Sequence, residues 1–170
     1  MDLKLEGKIA AVSGGSMGIG RAIALTLARE GCNVAICARD RARLDAAAKE
    51  IAEATGKTVL PVIADLTKAE DAQNFIDATV KHFKRLDILV NNAGSSPGGV
   101  LETLTEADWA QSLQLKFMGY VRCTKAAIPH MRRQGKGRVV NLIGNDGVKA
   151  SYWEIAPGAA NAAGQNLTLS

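Results

Sequence analysis

A glycine-rich run, Ser-Gly-Gly-Ser-Met-Gly-Ile-Gly at residues 13–20, has the residue types and spacing of a phosphate-binding loop. It follows an apolar, β-branched segment and precedes a stretch of helical character that begins at Arg21. Glycines at these positions let the backbone turn sharply and let a pyrophosphate approach the free amides of a helix N-terminus. The alternative is a tight turn without a ligand. The residues predicted to bind a dinucleotide here are Gly14, Ser16, Met17, Gly18, Ile19 and Gly20.

The residue that follows the second apolar segment bears on which dinucleotide is bound. Residues 33–38 are followed by Arg39 and Asp40, with Arg39 lying 19 residues beyond Gly20. An acidic side chain at this position would bind the ribose 2′-hydroxyl of NAD, whereas a guanidinium matches a 2′-phosphate. Arg39 therefore favours NADP(H) over NAD(H). In the alternative interpretation Arg39 is solvated and Asp40 only caps the next helix.

Five short apolar segments alternate with longer stretches of helical periodicity. The segments are residues 8–13, 33–38, 58–64, 86–91 and 138–143. Because they are almost continuously apolar, they are typical of strands buried on both faces of a sheet. The alternation predicts an α/β fold, a Rossmann-type doubly wound parallel sheet with helices on both faces, in one domain spanning residues 1–170.

Helix boundaries are predicted from capping patterns. Residues 67–70 form a capping-box pattern and residues 105–108 a near relative of one. The second helix is predicted to run from Thr105 to about Arg132. A last helix begins at Pro157 and reaches Ser170 without a cap or a following strand, so we expect the fold to be truncated after the fifth strand and the sixth helix.

The composition, 47% hydrophobic and 22% charged, is that of a folded globular protein rather than a disordered one. No apolar run approaches the roughly 18 residues of a membrane span, and the charged N-terminus is not typical of a signal peptide. The net charge of +4 includes no basic block longer than Arg132-Arg133, so neither a nucleic-acid nor a membrane partner is expected. Cys32, Cys37 and Cys123 lack metal-ligand spacing, which predicts no metal site and indicates a reducing, cytoplasmic environment.

Further motifs complete a resemblance to a known family. Asp65-Leu66 follows the third strand, Asp87 begins the fourth, and Asn91-Asn92-Ala93-Gly94 ends it. With the glycine-rich run, in this order and at these intervals, they make residues 5–170 resemble the short-chain dehydrogenase/reductase family. The resemblance implies that Asp65 and Leu66 contact adenine, and that the ribose on the nicotinamide side is contacted by Asn92, Ala93 and Gly94.

The resemblance stops at the catalytic positions. Active members of the family use a Ser, a Tyr and a Lys four residues after that Tyr, supported by an Asn in an earlier helix. The corresponding residues here, in that order, are Gly144, Pro157, Asn161 and Lys116. No Tyr in the chain is followed four residues later by a Lys. The usual catalytic residues are therefore all replaced.

Other side chains could supply the missing chemistry. Tyr152 is a candidate proton donor, Lys116 or Lys149 could provide the charge that lowers its pKa, and Asn145 or Asp146 could orient a carbonyl. In the alternative interpretation Tyr152 and Trp153 form an aromatic cover or an interface, and Lys116 is a solvent-exposed helix charge.

The predicted function is hydride transfer between a nicotinamide cofactor and a small carbonyl or alcohol substrate, by an oxidoreductase with an atypical active site. The competing hypothesis is a dinucleotide-binding protein of little activity that acts as a sensor, a scaffold or an oligomer partner. The resemblance also implies a homo-oligomer, a dimer or tetramer, formed through the last two long helices. The alternative is that these helices pack only on the sheet.

Overall fold

The chain alternates strands and helices, and the computed structural model describes residues 3–170. The strands are β1 (Ile9–Ser13), β2 (Asn33–Ala38), β3 (Val59–Ile63), β4 (Ile88–Asn91) and β5 (Arg138–Asn141). The helices are α1 (Gly18–Arg29), α2 (Arg41–Thr55), α3 (Ala69–Phe83), α4 (Glu106–Ser112), α5 (Met118–Arg133) and α6 (Ile155–Leu169). A π-helical turn, Leu113–Phe117, joins α4 to α5, and a 3₁₀ turn, Asn145–Gly147, lies between β5 and α6.

The five strands of the described residues form one parallel sheet in the order β3-β2-β1-β4-β5. Val12 of β1 pairs with Ile36 of β2 on one side and with Val90 of β4 on the other. Because the strand order reverses at β1, the connections after β1 and β4 diverge and leave a crevice at the carboxyl ends of these strands. This is the Rossmann-type, doubly wound α/β fold that the sequence predicts.

Helices cover both faces of the sheet, because successive side chains of a strand point to opposite faces. On one face Ala11 packs with Phe75 of α3 and Cys123 of α5. On the other face Val12 belongs to a cluster that includes Leu44 of α2. All of β1 is buried, as its continuous apolar sequence predicts.

The three cysteines are free and buried within these clusters or beside them. Burial raises the pKa of Cys32 to about 11 and that of Cys123 to about 12, so these thiols are protonated at neutral pH. Within residues 3–170, no group of three or more His, Cys, Asp or Glu side chains is arranged to hold a metal ion. Across the same residues, no helix has the length and apolar character needed to cross a membrane.

Three predicted helix boundaries differ from the structure. Thr67 is not a cap: the N-cap of α3 is Lys68, which makes no side-chain capping bond, and the Thr67 hydroxyl donates to Asp65 Oδ1 instead. Thr105, by contrast, forms a complete capping box with Asp108. The predicted helix from Thr105 is interrupted by the π-helical turn, and α6 begins at Ile155, before Pro157. A proline in a first turn is tolerated, because its missing N–H would have no partner within the helix.

Candidate functional site

An open groove of about 900 Å³ runs along the carboxyl ends of the strands. It is lined from the α2 side of the sheet by Arg39 and Asp65 and reaches Gly144, beyond β5. All the side chains and glycines that the sequence predicts to contact a dinucleotide line this groove. They are Gly14, Ser16, Met17, Gly18, Ile19, Gly20, Arg39, Asp65, Leu66, Asn92, Ala93 and Gly94.

The glycine-rich loop forms a tight backbone cradle at the centre of the groove. Gly14 and Gly18 have φ angles of +68° and +55°, a region that side chains disfavour. A Cβ added at Gly20 would overlap the carbonyl oxygen of Gly14 and Nδ2 of Asn92. Met17, the N-cap of α1, makes no side-chain capping bond, so no side chain caps the first-turn amides of that helix. These amides and the helix dipole suit a phosphate group.

Hydrogen bonds from one serine join β1 to the end of β4. The buried Ser13 hydroxyl oxygen accepts from the backbone amides of Asn92 (2.9 Å) and Ala93 (3.0 Å). The Asn92 side chain donates back to the Ser13 carbonyl oxygen at 2.9 Å. The glycine-rich loop after β1 and the loop after β4 are therefore held in a fixed position relative to each other. Ser13 is not among the residues that the sequence predicts to bind the cofactor, although its place directly before Gly14 is a signal that could have identified it.

A second chain of polar side chains joins β4, β5 and α6. Asn91 donates through Nδ2 to Asn141 Oδ1 at 2.8 Å and to Thr124 Oγ1 at 3.1 Å. Asn141 in turn donates to Thr168 of α6 at 2.9 Å. The Oδ1 atom of Asn91 is buried and has no hydrogen-bond partner. This hydrogen-bonded network holds the carboxyl ends of β4 and β5 in place, below the β5 side of the groove.

At the α2 end of the groove Asp40 has the capping role that the alternative interpretation gives it, and Arg39 lies in the groove lining. Asp40 caps α2 by accepting from the Arg43 amide at 2.9 Å, and the Arg43 guanidinium lies 3.6 Å from the same carboxylate. Arg39 lines the groove and forms no hydrogen bond or ion pair with the described residues. Arg43 also lines the groove, and the sequence analysis did not include it.

The carboxyl group of Asp65 is held in its charged form beside Arg39. Burial by itself would raise the pKa of Asp65. Hydrogen bonds from the hydroxyl and amide of Thr67, together with the charges of Arg39 and Lys68, instead keep this pKa below its ordinary value. Asp65 is therefore an acceptor for ligand donors at neutral pH.

Lys116 enters the groove at the opposite end, from the π-helical turn. Its Cδ and Cγ atoms lie 3.3 and 3.4 Å from the position that a Cβ on Gly94 would occupy. Turns of this kind occur often at functional sites, since the extra residue redirects the side chains around it. Lys116 forms no hydrogen bond or ion pair with residues 3–170.

One helical turn further on, Tyr120 also lines the groove, and sequence reasoning missed it. Its hydroxyl donates to the Leu142 carbonyl oxygen at 2.9 Å, and burial raises its pKa well above the ordinary value. The signal that could have found it is its spacing of four residues from Lys116, which puts both side chains on one helix face.

The remaining predicted catalytic residues lie outside the set that lines the groove. Tyr152 is 72% exposed and contacts Trp153 edge to face, with the ring centroids 4.6 Å apart. Asn145 begins the 3₁₀ turn and is exposed, and Lys149 follows that turn. Among the predicted catalytic side chains, the structure therefore brings only Lys116 together with the predicted cofactor residues.

The loop after β4 is tied to the segment that carries the two aromatic rings. The Gly99 amide donates to the Trp153 carbonyl oxygen at 2.7 Å. Ser96 and the buried Ser112 are 2.6 Å apart through their hydroxyl oxygens, and Ser112 also donates to the Ala156 carbonyl oxygen at 3.1 Å. These bonds connect the loop, α4 and α6 next to the Lys116 end of the groove.

A model of the short chain dehydrogenase family matches residues 8–170. An uncharacterized oxidoreductase of Methylorubrum extorquens is 38% identical over 140 residues, which cover 82% of this chain and 55% of that protein. A 3-oxoacyl-(acyl-carrier-protein) reductase of Staphylococcus aureus is 37% identical over 152 residues, covering 85% of this chain and 61% of the reductase. The chain thus spans little more than half the length of these curated relatives.

Solved structures agree with this family. The L-sorbose reductase of Gluconobacter frateurii, complexed with NADPH and L-sorbose, has a TM-score of 0.95 at 32% identity, over 99% of this chain and 65% of that one. An NAD+-bound xylitol dehydrogenase gives 0.92 at 32% identity, over 97% of this chain and 64% of the other. The chain belongs to the short-chain dehydrogenase family, which confirms the family that its motifs indicate.

Proposed function

We propose that this protein is an NAD(P)-dependent oxidoreductase that moves a hydride between a nicotinamide cofactor and a carbonyl or alcohol substrate, at an atypical active site. The observation that carries the proposal is the groove, in which the full set of predicted cofactor residues meets Lys116. A groove that contains all the predicted dinucleotide contacts favours a protein that uses the bound nucleotide. The family's dehydrogenases and reductases support the reaction class.

The residues present fit such a cofactor. The cradle around Gly14 and Gly20 has no room for side chains, and the uncapped first turn of α1 suits a pyrophosphate. Asp65 would accept from adenine and the loop of Asn92 and Gly94 would contact the second ribose, as the family pattern implies. When bound, the nicotinamide supplies or accepts the hydride, and the protein binds, orients and stabilises charge.

The preferred cofactor in this proposal is NADP(H). The Arg39 guanidinium lines the groove without a hydrogen bond or ion pair to residues 3–170, and Arg43 also lines the groove, so two positive groups are available to a 2′-phosphate. Solved relatives contain either NADPH or NAD+, so the preference rests on these side chains.

The catalytic role that the groove supports best is that of Lys116. When a hydride adds to the carbon of a carbonyl group, negative charge develops on the carbonyl oxygen. An ammonium group can stabilise that charge or donate a proton to the oxygen. Lys116 is the predicted catalytic residue that reaches the groove. Tyr152 as proton donor and Asn145 as carbonyl ligand stay in the proposal as groups of the adjacent loop, which would have to approach the groove.

A second candidate function is that of a dinucleotide-binding protein with little catalysis. The observation that favours it is chemical: Gly144 and Pro157 offer no hydroxyl, and Asn161 offers no charge, at positions where active relatives carry Ser, Tyr and Lys. Such a protein would act as a sensor, a scaffold or an oligomer partner.

Cofactor titration followed by a substrate panel separates the two candidates. NADPH and NADH are titrated into the full-length protein, and carbonyls and alcohols are then scanned for turnover. We expect tighter NADPH binding and measurable turnover. Tight binding with no turnover on a broad panel would favour the second candidate, and no binding of either nucleotide would reject both.

Matched variants then assign the catalytic residue. Lys116→Met keeps the length of the side chain but removes its charge, and we expect at least a tenfold loss of kcat with unchanged NADPH affinity. Lys125→Met removes an exposed charge on α5 and serves as the control. Turnover that survives Lys116→Met but is lost in Tyr152→Phe would transfer the role of proton donor to Tyr152.

We also propose that the protein is a homo-oligomer, a dimer or tetramer assembled through α5 and α6. The proposal rests on the exposed Ala159 of α6 and Ile128 of α5, because the neighbouring small residues Ala126, Ala127 and Ala160 are buried within the protomer. Sedimentation velocity on the full-length protein tests this, and a monomer at micromolar concentration would contradict it.

A further inference from the structure

Two of the replaced catalytic positions are hydrogen-bonded to each other. Asn161, only 2% exposed, accepts through Oδ1 from the backbone amide of Gly144 at 2.9 Å. Its Nδ2 atom lies 3.0 Å from both carboxylate oxygens of Asp146. The side-chain amide is thus used on both its acceptor and donor sides, which gives Asn161 a specific structural environment.

Glycines make room for this arrangement. A Cβ on Gly144 would overlap Asp146 Oδ1 and lie 2.7 Å from Asn161 Nδ2. A Cβ on Gly147 would lie 2.7 Å from Asn161 Cβ, and one on Gly158 would lie 3.1 Å from the Asp146 carbonyl oxygen. A serine at position 144, as active relatives carry, would therefore crowd the contact between Asp146 and Asn161, and the ends of these two side chains would have to shift. The site is rebuilt around the asparagine.

The contact lies below one particular end of the groove. Gly144 lines the groove beyond β5, whereas Arg39 lines it beyond β2, and the sheet order places β1 and β4 between these two strands. At about 4.8 Å per strand, the two ends are roughly 14 Å apart. If Arg39 binds the adenosine half of a dinucleotide, Gly144 lies at the nicotinamide half.

We propose that Asn161 is a positioning residue for the nicotinamide half of the cofactor. It fixes the backbone of Gly144 and, through Asp146, the 3₁₀ turn, so that the chain after β5 forms a preorganised wall of the groove. The neutral, inward-facing amide of Asn161 takes the place of the lysine that the family has at this position. The inference rests on the proposed function, because it requires that a dinucleotide occupies the groove.

An exchange of the two polar groups tests the role. Asn161→Asp places a second carboxylate against Asp146, so the 3₁₀ turn is expected to shift. In the double variant D146N/N161D the amide and the carboxylate trade places, so the amide still donates to the carboxylate, which also accepts from Gly144. Asn166→Asp adds the same charge to an exposed position of α6 and is the control.

The readout compares the better-binding reduced cofactor with its adenosine half, 2′,5′-ADP for NADPH or 5′-AMP for NADH. We expect Asn161→Asp to weaken the whole cofactor at least tenfold and the adenosine half less than twofold, with D146N/N161D restoring most of the loss. Equal losses for both ligands, or no loss for either, would overturn the positioning role, and so would a folded double variant without rescue.

If Asn161→Asp fails to fold, Asp146→Ala takes its place, since it removes only one side of the contact. A selective loss of at least threefold for the whole cofactor supports the proposal, and an unselective result overturns it. A wild-type protein that binds neither NADPH nor NADH would reject the proposed function together with this inference. Binding by the wild type without selective loss in the variants would reject the inference alone.

Discussion

The two halves of the groove differ in how many of the motif residues of the family they contain. The adenosine half, on β1, β2 and β3, keeps the glycine-rich loop and a basic residue after β2. The nicotinamide half, as the proposed function names it, lies on β4, β5 and α6, contains the Asn91 and Asn92 hydrogen bonds, and carries Gly144, Pro157 and Asn161 where the motif register predicts catalytic side chains. The strand ends of this half are therefore held by the side-chain amides of Asn91, Asn92 and Asn141.

Burial differs between the halves in the same direction. Every residue of the central β1 is buried, whereas β5 alternates between exposed and half-buried residues and leaves Val140 48% exposed. Substitutions in a fully packed strand disturb many neighbours, because protein interiors have little free volume. The difference follows from position in the described sheet, in which β1 is the central strand and β5 an edge strand.

The largest effect is expected from Gly20→Ala in the adenosine half. The added methyl group overlaps the Gly14 carbonyl and the Asn92 side chain, so the cradle must open. Overpacking of this kind costs about 1–3 kcal/mol of unfolding free energy. We expect cofactor affinity to fall by at least 100-fold, measured by fluorescence titration.

Gly119→Ala is the control for this substitution. An added Cβ there lies 3.5 Å from Leu66 Cβ, an ordinary contact, and alanine favours a helix by about 1 kcal/mol over glycine. Its unfolding free energy should be unchanged or higher. A Gly20→Ala protein with normal cofactor affinity would remove the contrast between the two halves.

The next effect concerns Asp87, which joins the amino ends of β4 and β1, at the edge of the sheet opposite the groove, by accepting from the Ile9 amide of β1 (2.9 Å) and from Arg85 Nε (2.8 Å). Asp87→Asn replaces a carboxylate oxygen by a donor that faces these donors. Buried hydrogen bonds to charged groups contribute about 1.5–3 kcal/mol, so we expect a loss of about 2 kcal/mol in urea unfolding near neutral pH. Asp45→Asn, an exposed position on α2, should change the free energy little.

The pH dependence of that loss has a definite sign. Burial alone would raise the pKa of Asp87, but hydrogen bonds from Arg85 and the Ile9 amide, and the Arg85 charge, keep it below its ordinary value. A lowered native pKa stabilises the fold above the unfolded pKa of about 3.9, and the stabilisation is lost as pH falls through the native pKa. The difference between wild type and Asp87→Asn should therefore shrink in acid. A difference that is constant with pH would show that the charge is not responsible.

A smaller and more selective effect is expected at Arg39. Arg39→Ala removes a charged donor for a 2′-phosphate, and charge-assisted hydrogen bonds of this kind justify a loss of roughly tenfold in NADPH affinity. NADH affinity should stay within twofold. Arg41→Ala removes an exposed arginine at the start of α2 and is the matched control. Equal losses for NADPH and NADH would refute the cofactor preference.

Most of the fold and the adenosine half could be predicted because their signals are local. The glycine run at residues 13–20 and the five apolar segments carry their own geometry, and the strands begin and end within two residues of the prediction. The contact of Asn161 with Gly144 and Asp146 could not be predicted, since it joins residues 17 and 15 positions apart and follows no sequence pattern. The π-helical turn that presents Lys116 also depends on tertiary packing rather than on local propensity.

The smallest effects are expected at two threonines with similar capping patterns, Thr67 before α3 and Thr105 before α4. Thr105→Ala removes a true N-cap, in which Thr105 accepts from the Asp108 amide at 3.3 Å, and such caps contribute about 1 kcal/mol. Thr67→Ala removes no cap, because Lys68 is the N-cap of α3. The substitution does remove the hydroxyl's hydrogen bond to Asp65, but this carboxylate is partly exposed and still accepts from the Thr67 amide, so we expect a loss of about 0.5 kcal/mol, the low end for a hydrogen bond. Urea unfolding of both variants measures the difference, and equal losses would mean that the capping pattern, not the observed hydrogen bonds, determines helix stability here.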